Sequence, residues 1–102
     1  MSADAVTHWL LRYDLAPDYL DRRAGLRSQH LALAWAASDA GDLLLGGAIG
    51  DAPTYAILLF TSSAAARAFA ARDPYVTQGL VTAWHIAEWK TVVGCNAATP
   101  IR

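Results

Sequence analysis

The sequence predicts an α+β domain in which strands and helices follow one another in the order β-α-β-β-α-β. Runs rich in β-branched, aromatic and other apolar residues occur at residues 6–13, 43–49, 54–60 and 82–93. A proline-free stretch over residues 19–40 carries apolar positions three and four apart, and an alanine-rich stretch follows at residues 63–72. Turns that contain glycine or proline separate these segments.

The helices carry recognisable ends. Pro17 suits the first turn of one long amphipathic helix over residues 19–40, and Gly41 suits the left-handed position that ends it. Ser62 is a typical N-cap for the helix at residues 63–72.

The strands differ in character. The Gly46-Gly47 pair in the second strand predicts a bulge or a close approach of another backbone. Residues 54–60 are almost continuously apolar, which is typical of a central strand buried on both faces. In the last strand Trp84 and Trp89 have opposite parity, so large apolar side chains point to both sides.

This order of elements predicts a ferredoxin-like fold, a four-stranded antiparallel sheet with both helices on one face. The helices leave the other face uncovered although its strands carry apolar side chains. A homodimer that packs sheet against sheet is therefore expected. The high hydrophobic content of 55%, with only 17% charged residues, points the same way.

The bulk properties exclude several classes of protein. A chain of 102 residues has room for one domain, with a core over about residues 6–94 and loose ends at 1–5 and 95–102. A net charge of -1 with scattered basic residues argues against a nucleic-acid partner. We expect a cytoplasmic protein with no membrane association, because we find neither a signal peptide nor a membrane-spanning stretch. The single Cys95 excludes an internal disulfide.

His30 and Asp73 are the main candidates for chemistry. His30 lies near the apolar side of the first helix, where a histidine is commonly a hydrogen-bonded core residue. Asp73 before Pro74 is a favoured N-cap pair, but it also follows the negative end of the preceding helix, a poor place for a carboxylate. If the two side chains meet, they form a carboxylate-oriented imidazole, a common general base.

Two further residues are candidates for binding substrate. Arg27 lies one turn before His30 and would hold a substrate carboxylate or phenolate, or else would be a solvated arginine paired with Asp21 or Asp73. Tyr75 would line the pocket or donate a hydrogen bond, or else would serve in packing.

No metal or cofactor is expected. His8 and His85 fall on strands that the fold makes neighbours, but no carboxylate accompanies them at ligand spacing. The sequence also lacks the glycine-rich and nucleophile motifs of nucleotide-dependent enzymes and serine hydrolases.

With these motifs the chain resembles the YciI-like (YCII-related) proteins of the dimeric α/β-barrel group, over roughly residues 6–94. The resemblance rests on Arg27-x-x-His30-Leu31, Gly41-Asp42-Leu43-Leu44 with Gly46-Gly47, Ala70-Ala71-Arg72-Asp73-Pro74-Tyr75-Val76 with Gly79, and Glu88-Trp89. It implies a ferredoxin-like protomer, a homodimer formed through the sheets and an active site at His30 and Asp73. A known activity in the family is a cofactor-free dehydrochlorinase acting on a chlorinated hydroxyquinol. Ser28 and Ala48 stand where relatives often carry proline, so the pocket wall is expected to differ.

The leading functional hypothesis is a cofactor-independent lyase or hydrolase for a small aromatic or oxygenated metabolite. In it His30 is the general base, Asp73 orients it and Arg27 binds substrate charge. The alternative is a non-catalytic ligand-binding or accessory homodimer. A third hypothesis, a cofactor-free monooxygenase, rests on analogy of fold alone.

Overall fold

The structure, a computed structural model, describes residues 6–102; the loose end predicted at residues 1–5 lies outside them. Eight elements follow one another, four strands and four helices. They are β1 (His8–Leu15), α1 (Tyr19–Arg23), α2 (Arg27–Asp39), β2 (Leu43–Ala48), β3 (Tyr55–Phe60), α3 (Ser63–Arg72), α4 (Pro74–Thr77) and β4 (Val81–Trp89). Within residues 6–102 no helix is long and apolar enough to cross a membrane.

The four strands form one antiparallel sheet in the order β2-β3-β1-β4. The central strands are β1 and β3, and the crossover from β1 to β3 passes through α2 and the edge strand β2. The predicted α+β, ferredoxin-like fold is confirmed. The register shifts between Leu43 and Leu45 show that the predicted irregularity of β2 begins just before its glycine pair.

The helices cover one face of the sheet and seal the core against it. Alternate residues of β1 and β3 point toward the helices, among them Leu11, Leu58 and Phe60, each at most 4% exposed. Phe69 of α3 packs on Phe60, with ring centroids 5.4 Å apart. One hydrophobic cluster thus links strands and helices.

The prediction of one long helix over residues 19–40 was wrong. The chain turns between α1 and α2, where the N–H of Gly25 bonds to the carbonyl of Arg22 and the N–H of Leu26 to that of Arg23. These bonds span three residues rather than four, so the helix tightens and then restarts. Glycine is a poor helix former, which makes Gly25 the natural place for this interruption.

The ends of the outer elements also differ from the prediction. β1 starts two residues later than predicted and extends to Leu15, which pairs with Val81. β4 was expected to reach residue 93 but ends at Trp89, because Trp89 pairs with His8 and β1 begins there. The tail predicted to be loose instead folds back: the N–H of Thr99 bonds to the carbonyl of Thr91 at 3.1 Å.

The face of the sheet away from the helices, which we call the open face, is largely apolar. Leu10, Leu45 and Leu59 lie in one row across it, and Leu45 is 73% exposed. Residues of β3 that point this way are half-buried, whereas the alternate residues beneath the helices are buried. The burial of β3 on both faces, expected from its sequence, is therefore incomplete in a single protomer.

Candidate active site

Asp73 occupies the junction between two helices. It ends α3 and is the N-cap of α4, where its Oδ1 accepts a hydrogen bond from the N–H of Tyr75 at 3.0 Å. Pro74, the first residue of α4, lacks an N–H and needs no such partner. The capping bond turns the carboxylate inward, and Asp73 is 0% exposed.

The structure brings His30 into contact with this carboxylate. The Nδ1 atom of His30, on α2, lies 2.9 Å from Oδ1 and 3.0 Å from Oδ2 of Asp73. An ionised carboxylate only accepts hydrogen bonds, so Nδ1 must carry the proton. In the neutral ring the Nε2 atom then holds the free lone pair. It has no hydrogen-bond partner within the described chain, so it remains available to a ligand.

Tyr13 completes the surroundings of the carboxylate and was missed in the sequence. Its hydroxyl donates to Oδ2 of Asp73 at 2.8 Å from β1, and the residue is 1% exposed. Burial, reinforced by the Asp73 charge, raises the pKa of Tyr13 far above its ordinary value, so it stays a donor. Three donors thus satisfy a carboxylate that would otherwise be costly to bury. The only signal in the sequence was a tyrosine at an inward-facing strand position.

Tyr75 fixes the plane of the imidazole. Its ring stacks on that of His30 with centroids 3.8 Å apart and planes 5° from parallel. Tyr19 of α1 meets the edge of Tyr75 at 5.8 Å and 88°. Burial, followed by the nearby Tyr19, raises the pKa of Tyr75 to about 12, so its hydroxyl is neutral at physiological pH. Tyr75 therefore both packs and lines the site.

A cleft of ≈ 370 Å³ opens beside His30, between α2 and the edge of the sheet. That volume falls in the range of about 300–1,000 Å³ that is usual for small-molecule pockets. The glycine pair of β2 forms part of its wall. A Cβ atom at Gly46 would come within 3.3 Å of Cγ of Leu58, whereas one at Gly47 would meet nothing within 4 Å.

Arg27 lines this cleft, as does Arg23 of α1, which the sequence did not single out. Neither guanidinium has a carboxylate partner among residues 6–102, so the predicted alternatives of an Arg27 ion pair with Asp21 or Asp73 are not observed. Arg23 instead lies over the ring of Tyr19, 5.6 Å from its centroid. Two unpaired positive charges therefore border the cleft.

Neither of the other two histidines lines the cleft, and the two lie far from each other. His8 pairs with Trp89 and His85 with Arg12, four residues further along β1, which is about 13 Å at the usual rise of a strand. The imidazoles are therefore not adjacent, although their strands are neighbours. No group of three or more His, Cys, Asp or Glu side chains able to hold a metal ion occurs in the described part of the chain.

The fold and the cleft define a class: a ferredoxin-like domain with a small-molecule cleft between its helices and its sheet. Within that class, residues 7–90 match the YCII-related domain family. The match spans most of the chain, which therefore belongs to this family.

A solved structure with the same fold is the 5-chloro-2-hydroxyhydroquinone dehydrochlorinase from Burkholderia phenoliruptrix AC1100, in complex with 2,5-dihydroxybenzoquinone. It is 22% identical in sequence, and the likeness covers 82% of this chain and 94% of that one, with a TM-score of 0.68. No curated protein matches the chain.

Proposed function

We propose that this chain is a cofactor-independent enzyme of the lyase or hydrolase type that acts on a small aromatic or oxygenated molecule. The observation that carries the proposal is the orientation of His30. Its Nδ1–H is held by both oxygens of Asp73, its plane is held by Tyr75, and its ring lines a cleft. This is the arrangement that a general base requires.

In the proposed reaction, Nε2 of His30 takes a proton from the substrate or from water. In a lyase, the electron pair left behind forms a new double bond as a leaving group departs from the substrate. In a hydrolase, the resulting hydroxide attacks the substrate, the bond to the leaving group breaks, and the imidazolium then returns its proton to that group. Either way His30 becomes an imidazolium facing the Asp73 carboxylate, which stabilises the positive charge. Arg27 binds a negative group of the substrate.

The comparison with the dehydrochlorinase supports the lyase form of the proposal. That protein has the same fold, and its bound 2,5-dihydroxybenzoquinone is a small oxygenated ring. A cleft of ≈ 370 Å³ accommodates a molecule of that size.

We further propose that the enzyme works as a homodimer that covers the open face of each sheet, in the cytoplasm. The exposed apolar row at Leu10, Leu45 and Leu59 supports the dimer. A lone, exposed Cys95 suits a reducing compartment.

The test is activity profiling of the purified protein against phenolic, lactone and haloaromatic compounds. We expect His30→Ala to lower the rate by about 10²–10⁴-fold, the usual contribution of a general base. Arg67→Ala, at an exposed position of α3 outside the cleft, should leave the rate unchanged. Turnover that survives His30→Ala would refute the proposed base, and ligand binding without turnover would favour a binding module.

A further inference from the structure

The charges around the cleft all have one sign. Arg23 and Arg27 line it, and no Asp or Glu of residues 6–102 does so. The nearest acid, Asp73, lies behind His30 and is fully occupied by its three hydrogen-bond donors. A ligand in the cleft therefore meets positive charge that is not neutralised by the protein.

Arg23 and Arg27 have no ion pair within residues 6–102, and unlike Arg67 and Arg72, which also have none, they line the cleft. Arg12 bonds to Asp14 at 3.1 Å, and Arg22 lies 3.8 Å from Asp18. Arg23, next in the chain, turns the other way and lies over Tyr19 at the cleft. Within the described chain, both arginines of the cleft are thus left for a ligand.

Both positive charges also act close to Tyr75 and His30. Burial raises the pKa of the Tyr75 hydroxyl, and the positive charges of Arg27 and Arg23 oppose that rise. Tyr75 stacks on His30, so the positive charges that act on Tyr75 also act close to the proposed base. Their position favours an oxyanion bound beside His30.

The far part of the cleft is mainly apolar. Beyond His30, α2 contributes Ala34, Trp35 and Ser38 to the cleft, and β2 contributes its glycine pair. Trp35 lies eight residues after Arg27, about 12 Å along the helix axis. The cleft therefore has a cationic end and a mainly apolar end. Gly46, on the side of β2 that faces the helices, adds no side chain to the cleft, which suits a flat group.

We propose that the cleft binds an organic anion with a flat apolar body, its oxyanion between Arg23 and Arg27 and its body directed along α2 toward Trp35. This specifies the substrate class of the proposed function and rests on it. Arg23 is the specificity-determining residue, because it supplies the second positive charge. Neutral compounds of the same shape are excluded as good ligands.

Cinnamate and cinnamamide test the proposal, because they share a flat apolar body and differ only in the charge of one end. Binding is measured by NMR titration, following the ring signals of His30 and the indole N–H of Trp35. Cinnamate should bind at least about 10-fold more tightly, the effect of a charge-assisted hydrogen bond. Both signals should move, and high salt should weaken only cinnamate.

Single substitutions at each end of the cleft test where the two ends of the ligand bind. Arg23→Gln should weaken cinnamate about 10-fold and leave cinnamamide unchanged. Arg67→Gln removes the same charge from an exposed position of α3 outside the cleft, and it should change neither affinity. Trp35→Ala should weaken both probes alike.

The outcomes separate this inference from the proposed function. Equal affinity for the two probes, no binding of either, or equal losses in Arg23→Gln and Arg67→Gln would overturn the anion site, even if His30-dependent turnover were found. Selective binding of cinnamate that persists in His30→Ala supports the anion site whether or not any substrate is turned over.

Discussion

Asp73 combines a backbone role with two side-chain roles. Its backbone ends α3, and its carboxylate caps α4 and contacts His30. A carboxylate at the negative end of α3 is unfavourable, but hydrogen bonds from His30, Tyr13 and the N–H of Tyr75 offset this cost. Capping alone would explain an aspartate at this position, but the same carboxylate is also available for chemistry through His30.

Tyr13→Phe tests how much the third donor matters. Phenylalanine keeps the ring and removes the hydroxyl that bonds to Asp73. We expect the free energy of unfolding to fall by about 1.5–3 kcal/mol, the contribution of a hydrogen bond to a charged group, when measured by urea denaturation. Tyr55→Phe is the control, because the Tyr55 hydroxyl has no hydrogen bond within residues 6–102. Equal stability of the two variants would contradict this account of the carboxylate.

Asp73→Asn separates capping from charge. Asparagine caps a helix nearly as well as aspartate, so capping alone predicts almost no loss of stability. The structure predicts a loss of more than about 1 kcal/mol, because the amide NH₂ would face one of the three donors that now point at the carboxylate. Thermal unfolding measures the difference. Asp42→Asn, at an exposed aspartate, is the matched control, and an equally small effect at both positions would favour the capping account.

Among the secondary-structure elements, α2 and β2 are joined by a short turn that positions the apolar part of the cleft. Gly41 follows α2 with φ +84°, and its N–H bonds to the carbonyl of Ser38 at 2.9 Å. This left-handed turn sends the chain directly into β2, so the two elements form opposite walls of the cleft.

Gly41→Ala should therefore destabilise the protein through the backbone alone. A Cβ atom there would meet nothing within 4 Å, so the cost is that of a left-handed alanine, about 1–2 kcal/mol. Gly47→Ala is the control, since Gly47 has no positive φ and equal space. Denaturant titration should show a loss for Gly41→Ala only. Equal stability of both variants would mean that the turn adapts to alanine.

For the molecule as a whole, a single protomer leaves apolar side chains of the open face exposed to solvent. Trp89 is 49% exposed there, and Leu59 lies between Leu10 and Leu45 in the apolar row. Arg12, hydrogen-bonded to Asp14, also lies on this face and limits how much of it is apolar.

We predict a dimer at micromolar concentration by analytical ultracentrifugation. Leu59→Arg should convert it into a monomer, because an unpaired charge would be buried at the centre of the interface. Ala68→Arg, at an exposed position of α3, should leave the dimer intact. A wild-type protein that sediments as a stable monomer would exclude sheet-to-sheet pairing.

The order of the four strands and the limits of β2, β3 and α3, to within one residue, could be predicted from the sequence alone. Runs of β-branched, aromatic and other apolar residues marked the strands. Ser62 marked the start of α3, where its Oγ accepts a hydrogen bond from the N–H of Ala65, and Asp73-Pro74 marked α4. These signals are local: each depends on residues within one turn or one strand. The family motif at His30 and Asp73 also identified two residues that prove to be in contact.

The surroundings of that pair depend on how distant parts of the chain pack together. The Tyr13 hydroxyl reaches Asp73 across 60 positions of the chain, and Tyr75 stacks on His30 from a different helix. Arg22 and Arg23 are neighbours on α1 and point about 100° apart around it, so Arg23 lies at the cleft while the guanidinium of Arg22 donates to the carbonyl of Gln78. Such contacts arise from how separate elements pack, and no local pattern of residues encodes them, which is why the chemistry of the cleft became clear only in the folded chain.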